Sequence, residues 1–198
     1  MKKALIIVAI FAIGVVVTFE KEVKHGPGIL APDEPIQIAI KRPSSFPFDE
    51  YRIIPQAEFS LTARILSKKK YGYGRESDLS PIDLALGWGR MSDESILESF
   101  SISQSGRWYN WRSRELPISA REVSNHSANM HIIPATDELK NRLKRLKRGE
   151  IIQLTGKLVN VQADDGWHWK SSLKRTDRGS GACELFYVES LTIKDISV

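Results

Sequence analysis

Residues able to do covalent chemistry are few in this sequence and poorly spaced for it. Ser171 and Lys174 form SSLK, a formal S-x-x-K. A serine–lysine dyad needs a desolvated amine as its base, and Lys174 stands beside Arg175 and Asp177 at a strand end, where it stays solvated and charged. Cys183 follows a glycine turn at the head of an apolar stretch, the setting of a small buried hydrophobe rather than a nucleophile. As the single cysteine it excludes an intramolecular disulfide and any zinc site built on two or more cysteines. His126 and His131 are five apart, not the i, i+4 spacing that puts two ligands on one helical face, and no acidic partner is nominated by position. GYGRES and DRGSGA lack the lysine and the strand–loop–helix context of a phosphate loop. The sequence therefore nominates no catalytic residue, no metal ligand and no cofactor.

Two clusters interleave aromatic rings with basic groups. RWYNWRSR sets Arg107 and Arg112 around Trp108, Tyr109 and Trp111. GWHWK places Trp167 and Trp169 on one face of a strand, flanked by Lys170, with His168 facing the other way. Aromatic planes beside cations stack sugar rings or bases, neutralise anions and anchor protein partners; the same rings also serve as core residues with arginine stems covering the edge. A third cluster is a basic segment that includes Lys140, Lys144, Lys147 and Arg148, suited to anionic lipid head groups or to an ordinary solvated helix face.

The elements that carry these groups follow from periodicity. In AEFSLTARIL, Phe59, Leu61, Ala63 and Ile65 alternate with polar residues, which predicts a strand. Gly72 and Gly74 permit a reversal; Ser80, Pro81 and Asp83 then read as N-cap, first residue and first-turn acid of a short helix, SPIDLAL. Ser92 opens a second short helix, SDESILESF, and residues 101–112 read as extended. Thr136 caps DELKNRLKRLK, whose Leu139, Leu143 and Leu146 make one apolar stripe, and Gly149 stands as its C-terminal cap. IIQLTGKLVNVQ is a long strand with a bend at Gly156, Asp164, Asp165 and Gly166 form a hairpin turn, and CELFYVESLTI is the last strand.

The N-terminus is of a different kind. Residues 4–19, ALIIVAIFAIGVVVTF, carry no charge. As a helix they span roughly 24 Å, between a signal-peptide core and a short membrane anchor. Lys2 and Lys3 favour keeping the N-terminus in the cytoplasm, which puts the body on the far side of an inner membrane. Six prolines between residues 20 and 55 predict an extended spacer at 21–50, with IQIAI as a short edge strand. The expected organisation is thus a signal anchor or signal peptide at 1–20, a proline-rich tether at 21–50 and a globular domain at 51–198.

The chain of 198 residues has 41% hydrophobic and 27% charged residues, a composition that excludes wholesale disorder and leaves one compact domain. Its charge of +5 is too mild for a dedicated nucleic-acid binder. The fold class expected is α+β: a β-rich domain with two to four short helices behind an N-terminal transmembrane or signal helix. From residue 132 to 193, a helix feeding a glycine-punctuated antiparallel hairpin resembles a small five-stranded barrel of the OB type. More generally the sequence resembles the membrane-anchored hypothetical proteins of Gram-negative bacteria, a resemblance that implies no activity. The function expected is a membrane-anchored periplasmic binding or scaffolding domain of the cell envelope. Its partners would be the membrane, through the N-terminal helix, and an anionic glycan, lipid or envelope protein. An envelope hydrolase using a serine or histidine is the alternative, and a weak single-stranded nucleic-acid binder a second one should the body be cytoplasmic.

Overall fold

The computed structural model describes residues 21–174 and 183–196. They form a β-rich α+β domain with four short helices and an eight-stranded sheet. The strands are β1 (Ile36–Ala39), β2 (Phe46–Phe48), β3 (Tyr51–Lys70), β4 (Ile82–Gly87), β5 (Phe100–Ser105), β6 (Trp108–Ser113), β7 (Ser127–Pro134), β8 (Ile151–Ala163), β9 (His168–Lys170) and β10 (Glu184–Lys194). The helices are α1 (Arg75–Leu79), α2 (Glu94–Leu97), α3 (Ala120–Asn125) and α4 (Asp137–Arg145).

Five strands close on themselves in the order β3, β4, β7, β10, β8 and back to β3. All of these pairs are antiparallel except β7 with β10. Closure removes the exposed edges that a flat sheet of these strands would leave. The interior is filled by alternate residues, among them Phe59, Leu61, Leu84, Leu86, Ile132, Leu154 and Phe186, and Leu139, Leu143 and Leu146 of α4 join the same cluster. The leucine stripe read from the sequence is thus the buried face of α4. Thr136 Oγ1 caps this helix by accepting from Leu139 N–H at 3.2 Å, as expected. Gly156 is where β8 passes so close to β10 that a Cβ would lie 2.0 Å from the Tyr187 carbonyl oxygen. β10 shifts register opposite it, between Val188 and Ser190.

Three expectations about local structure need correction. SPIDLAL is not a helix: Ile82, Leu84 and Leu86 point into the core while Asp83 and Ala85 point out, the period of two of a strand paired on both edges. The Ser-Pro-x-Asp cap pattern describes only local preference, and the two strand pairings outweigh it. The second helix shrinks to the four residues of α2, capped by Asp93 rather than Ser92. The Ser92 hydroxyl instead donates to Gly89 O and accepts from Leu30 and Ala31 N–H. Finally, α4 ends at Arg145 with Leu146 as its C-cap, and Gly149, with φ 89°, sits where another segment crosses: a Cβ there would lie 1.9 Å from the Val23 carbonyl oxygen.

That crossing segment belongs to residues 21–50, read above as a spacer. It lies along the domain instead. Val23 N–H donates to Arg148 O at 2.9 Å, His25 Nε2 to Gly149 O at 2.8 Å and Gly28 N–H to Asp93 Oδ1 at 3.0 Å. Ala31 is fully buried, Glu34 accepts from the Trp88 indole, and β1 and β2 both add to β3. The prolines stop this stretch from forming a helix, but they leave its other amides free to dock.

Candidate functional site

The aromatic and basic residues singled out in the sequence divide between two places. β6 alternates, so that Tyr109 and Trp111 face inward while Trp108, Asn110 and Arg112 face outward. Trp111 meets Phe100 edge-on with centroids 5.7 Å apart, and Tyr109 packs on the same cluster with its hydroxyl donating to Ser127 Oγ. Burial pushes the Tyr109 phenol up to about 12, as expected of a core tyrosine. Arg112 lines a separate groove with Glu98 and Glu115.

Arg107, by contrast, turns back toward the sheet. It follows Gly106 at the tip of the β5–β6 hairpin and has φ 65°, in the left-handed region. Its guanidinium donates to Asp83 Oδ1 at 2.9 Å and to Ser80 O at 3.0 Å, and it covers the rings of Tyr71 at 4.2 Å and Trp169 at 5.3 Å. Around it opens a cleft of about 420 Å³ lined by Arg107, Trp108, His131, His168, Trp169 and Lys170, with Glu76 and Cys183 at its margin. Four of the eight sequence-nominated binding residues thus meet in one cleft: Arg107, Trp108, Trp169 and Lys170.

Trp167 continues the row. It stands 6.2 Å from Trp169 and 5.7 Å from Tyr51, and Arg75 lies 4.7 Å over its ring while holding Asp165 through two hydrogen bonds of 2.8 and 3.0 Å. His131 meets Trp169 with centroids 5.0 Å apart. Five rings (Tyr51, Trp167, Trp169, His131 and Tyr71) and two arginines therefore form a continuous band along the outside of β4, β7 and β9 and the adjoining turns.

Under the band sits a buried polar pair. Asp83 is fully buried, His131 nearly so, and His131 Nδ1 lies 3.0 Å from Asp83 Oδ1. Neither Asp83 Oδ2 nor His131 Nδ1 has an aligned hydrogen-bond partner among the described residues. Buried polar atoms are costly to leave without a partner, and Tyr71 lies close enough to Asp83 for the two to interact. Burial and the nearby Asp83 charge push the Tyr71 phenol up to about 12, so its hydroxyl stays protonated.

The residues with nucleophilic chemistry are not set for it. Burial and the Glu184 charge push the Cys183 thiol up to about 11, away from the thiolate a nucleophile requires. The Ser171 hydroxyl donates to Ser172 O at 2.8 Å and accepts from Leu185 N–H at 3.0 Å, so it serves the backbone, and Lys174 is exposed. Among the described residues no cluster of three or more His, Cys, Asp or Glu side chains has the geometry to hold a metal ion.

The basic set lies elsewhere. Lys140 sits on α4, and Lys144, Lys147 and Arg148 gather at its C-terminal end. Arg148 Nε meets Glu22 at 3.1 Å, and Lys68 closes the helix end by donating to the carbonyls of Lys144 and Leu146. Residues 4–19 lie outside the described residues, among which no helix is long and apolar enough to cross a membrane.

Asp83, Tyr71 and Arg75 were not nominated from the sequence, and His131 was weighed there as a metal ligand, not as part of a stacked band. One signal was present for Asp83, a lone carboxylate inside the apolar run Ile82–Leu86, had that run been read with period two. Tyr71 and Arg75 reach the band only through the fold. Compared with protein-family models, curated proteins and solved structures, the chain finds no match in any of the three.

Proposed function

We propose that this chain is a membrane-anchored binding module of the bacterial envelope, whose body is an OB-type barrel that holds a sugar-containing, weakly anionic chain along its aromatic band. The barrel reading is supported by the strand order. Five strands close as first, second, third, fifth and fourth; the third and fifth are parallel, and a helix stands between the third and fourth. Barrels of this type take oligonucleotides or oligosaccharides on the face of the second and third strands and the two loops beside it. Here those strands are β4 and β7, and those loops carry Tyr71, Arg75, Trp167 and Trp169. The cleft lies on the same face.

The charge balance favours a glycan over a nucleic acid. Both arginines of the band already hold carboxylates, Arg107 with Asp83 and Arg75 with Asp165. What remains for a ligand among the described residues is ring surface and the Lys170 ammonium at the rim. A polyphosphate backbone wants several free cations along its path, whereas a sugar chain with an occasional acid wants ring faces and a few polar contacts. A binding role, rather than hydrolysis, is supported by the protonated Cys183 and the spent Ser171 hydroxyl. The apolar run at 4–19 and the lysines before it support an inner-membrane anchor with the body in the periplasm.

The observation that carries this reading is the co-location of Arg107, Trp169 and Lys170 in one cleft on the β4–β7 face. Its test is a tryptophan-fluorescence titration of the full chain in detergent with a uronate-containing oligosaccharide and, separately, with oligothymidylate. Saturable binding of the uronate chain, weakened about tenfold by Trp169→Ala, is the expected result. Binding of oligothymidylate alone, with affinity falling steeply with salt, would replace the glycan by single-stranded nucleic acid. Binding of neither would remove the cleft as a polymer site.

A further inference from the structure

We infer that the C-terminal turn of α4 lies against an anionic lipid surface, so that the body rests on the bilayer by that corner and carries its cleft away from it. The inference deepens the anchored reading and rests on it.

The argument begins with chain length. The uncharged run ends at Phe19, and by Glu22 the chain is fixed to the body: Glu22 Oε1 meets Arg148 Nε at 3.1 Å and Val23 N–H donates to Arg148 O at 2.9 Å. Three residue steps separate Phe19 from Glu22, a reach of at most about 11 Å. The spacer expected at 21–50 would have put some 30 residues between anchor and body; the docked segment leaves almost no slack. If 4–19 sits in a bilayer, the end of α4 is held within about one Debye length of its surface, where charge is still felt.

The corner held there is basic. Lys21, Lys144, Arg145, Lys147 and Arg148 stand near the crossing point, against the carboxylates of Glu22 and Glu150, with Glu20 a further acid in the sequence beside the uncharged run. Lys21, Arg145, Lys147 and Arg148 are exposed. Glu22 takes part of the Arg148 charge, and Glu150 accepts from the Lys147 backbone N–H at 2.9 Å. A surplus of positive charge beside a membrane-spanning run is the pattern that anionic lipids attract. Lys24 bridges Glu94 at 3.0 Å and Glu22 at 3.9 Å, so its charge is shared between them.

The other end of the body follows from β8. This strand leaves the corner at Ile151 and reaches Ala163, as much as about 40 Å further along its contour. The turn at Asp164 to Gly166, and the Trp167 and Trp169 rings beyond it, sit at the far end of that strand, and the inference places them on the side away from the bilayer, open to a ligand in solution.

The experiment reconstitutes the full chain, in a Cys183→Ser background, into vesicles of phosphatidylcholine with or without 30 mol% phosphatidylglycerol (a composition of about the anionic content that supports surface attraction). A donor dye is placed at Lys147→Cys or at Asp164→Cys, with an acceptor on the lipid head groups. Transfer from position 147 should exceed that from 164 by about twofold or more and should rise with phosphatidylglycerol. Adding Lys144→Glu and Arg145→Glu should abolish that rise. Equal transfer from the two positions, or a signal at 147 indifferent to lipid charge, overturns the inference while leaving the anchor intact. Failure of the chain to float with vesicles of either composition overturns the anchor, and this inference with it.

Discussion

Two arginine–carboxylate clusters lie in different parts of the molecule and are built from the same chemistry to different ends. In one, Arg64 and Glu94 are both buried. Glu94 accepts from Arg64 Nη2, from Lys24 Nζ at 3.0 Å and from the His25 N–H at 3.1 Å, while Arg64 Nη1 also donates to Ser92 O. Among the described residues neither side chain leaves a buried polar atom without a partner. In the other, Arg107 is partly open to the cleft, Asp83 is fully buried, and Asp83 Oδ2 and His131 Nδ1 lack aligned partners among the described residues. A buried network that is fully satisfied rigidifies, whereas one left open constrains its side chains less. The first cluster is accordingly the lock that fastens residues 22–31 to the domain, and the second lies beneath the cleft proposed as the binding site.

The largest expected effect breaks the lock. Arg64→Leu leaves Glu94 buried with its best partner gone and should cost about 3–5 kcal/mol in urea unfolding. The double variant Arg64→Leu, Glu94→Leu should recover much of that loss, because no uncompensated charge remains. A double variant as unstable as the single one would mean that the pair matters through shape, and the contrast with the cleft would weaken.

The lock should also show in the pH dependence. Burial alone would push the Glu94 carboxyl up, but the hydrogen bonds from Arg64, His25 and Lys24 outweigh it and hold the group at about 2, against an ordinary 4.5. A carboxyl held low in the folded state stabilises the fold above its unfolded value, and that contribution is lost as pH falls from about 4.5 toward 2. Wild type should therefore exceed Glu94→Gln in stability by about 3 kcal/mol at neutral pH, with the gap closing below pH 4.5. Stability curves of the two proteins between pH 2 and 7 measure it, and a constant gap would contradict the assignment.

At the cleft the corresponding change is Arg107→Met. Arg107 lies partly in solvent, so its removal lets water reach Asp83 and a smaller cost is expected, about 1–3 kcal/mol, accompanied by loss of ligand binding. A variant that binds normally would show that Arg107 props up the site without touching what enters it.

Legibility from the sequence follows the same division. Elements set by one strong period were readable: β3 from its alternation, α4 from its leucine stripe and its Thr136 cap, and the turn at Gly166 from Asp-Gly. β4 was not, because six residues carry little period and Ser80-Pro81-x-Asp83 is a good local helix start; its strand character comes from pairing with β3 and β7, which are distant in sequence. The docking of residues 22–31 was hidden for a related reason. Prolines report what a segment cannot form, and the partners of its amides, Asp93, Ser92 and Arg148, lie more than 60 residues away. Trp169 and Lys170 were nominated because rings and cations attract notice in any context. Asp83 became visible only once the fold had put Arg107 on top of it.

The smallest effect on stability is also the sharpest test of the cleft, because one strand carries both kinds of tryptophan. Trp108 is 45% exposed at the cleft, and Trp111, three residues on, packs against Phe100. Trp111→Ala should remove buried contacts and cost about 2 kcal/mol. Trp108→Ala removes ring surface that already faces water, so its stability should stay within about 0.5 kcal/mol of wild type. Paired urea melts and glycan titrations of the two variants then separate the roles. Trp108→Ala should melt like wild type and bind more weakly, and Trp111→Ala should melt earlier and, where folded, bind as before. A Trp108 variant that melts early would move that ring into the core and shrink the cleft to Trp169 and its neighbours. If instead Trp108 is neutral in both measurements, the ligand's path runs along Trp167 and Trp169 only, and the β5–β6 hairpin contributes nothing but Arg107.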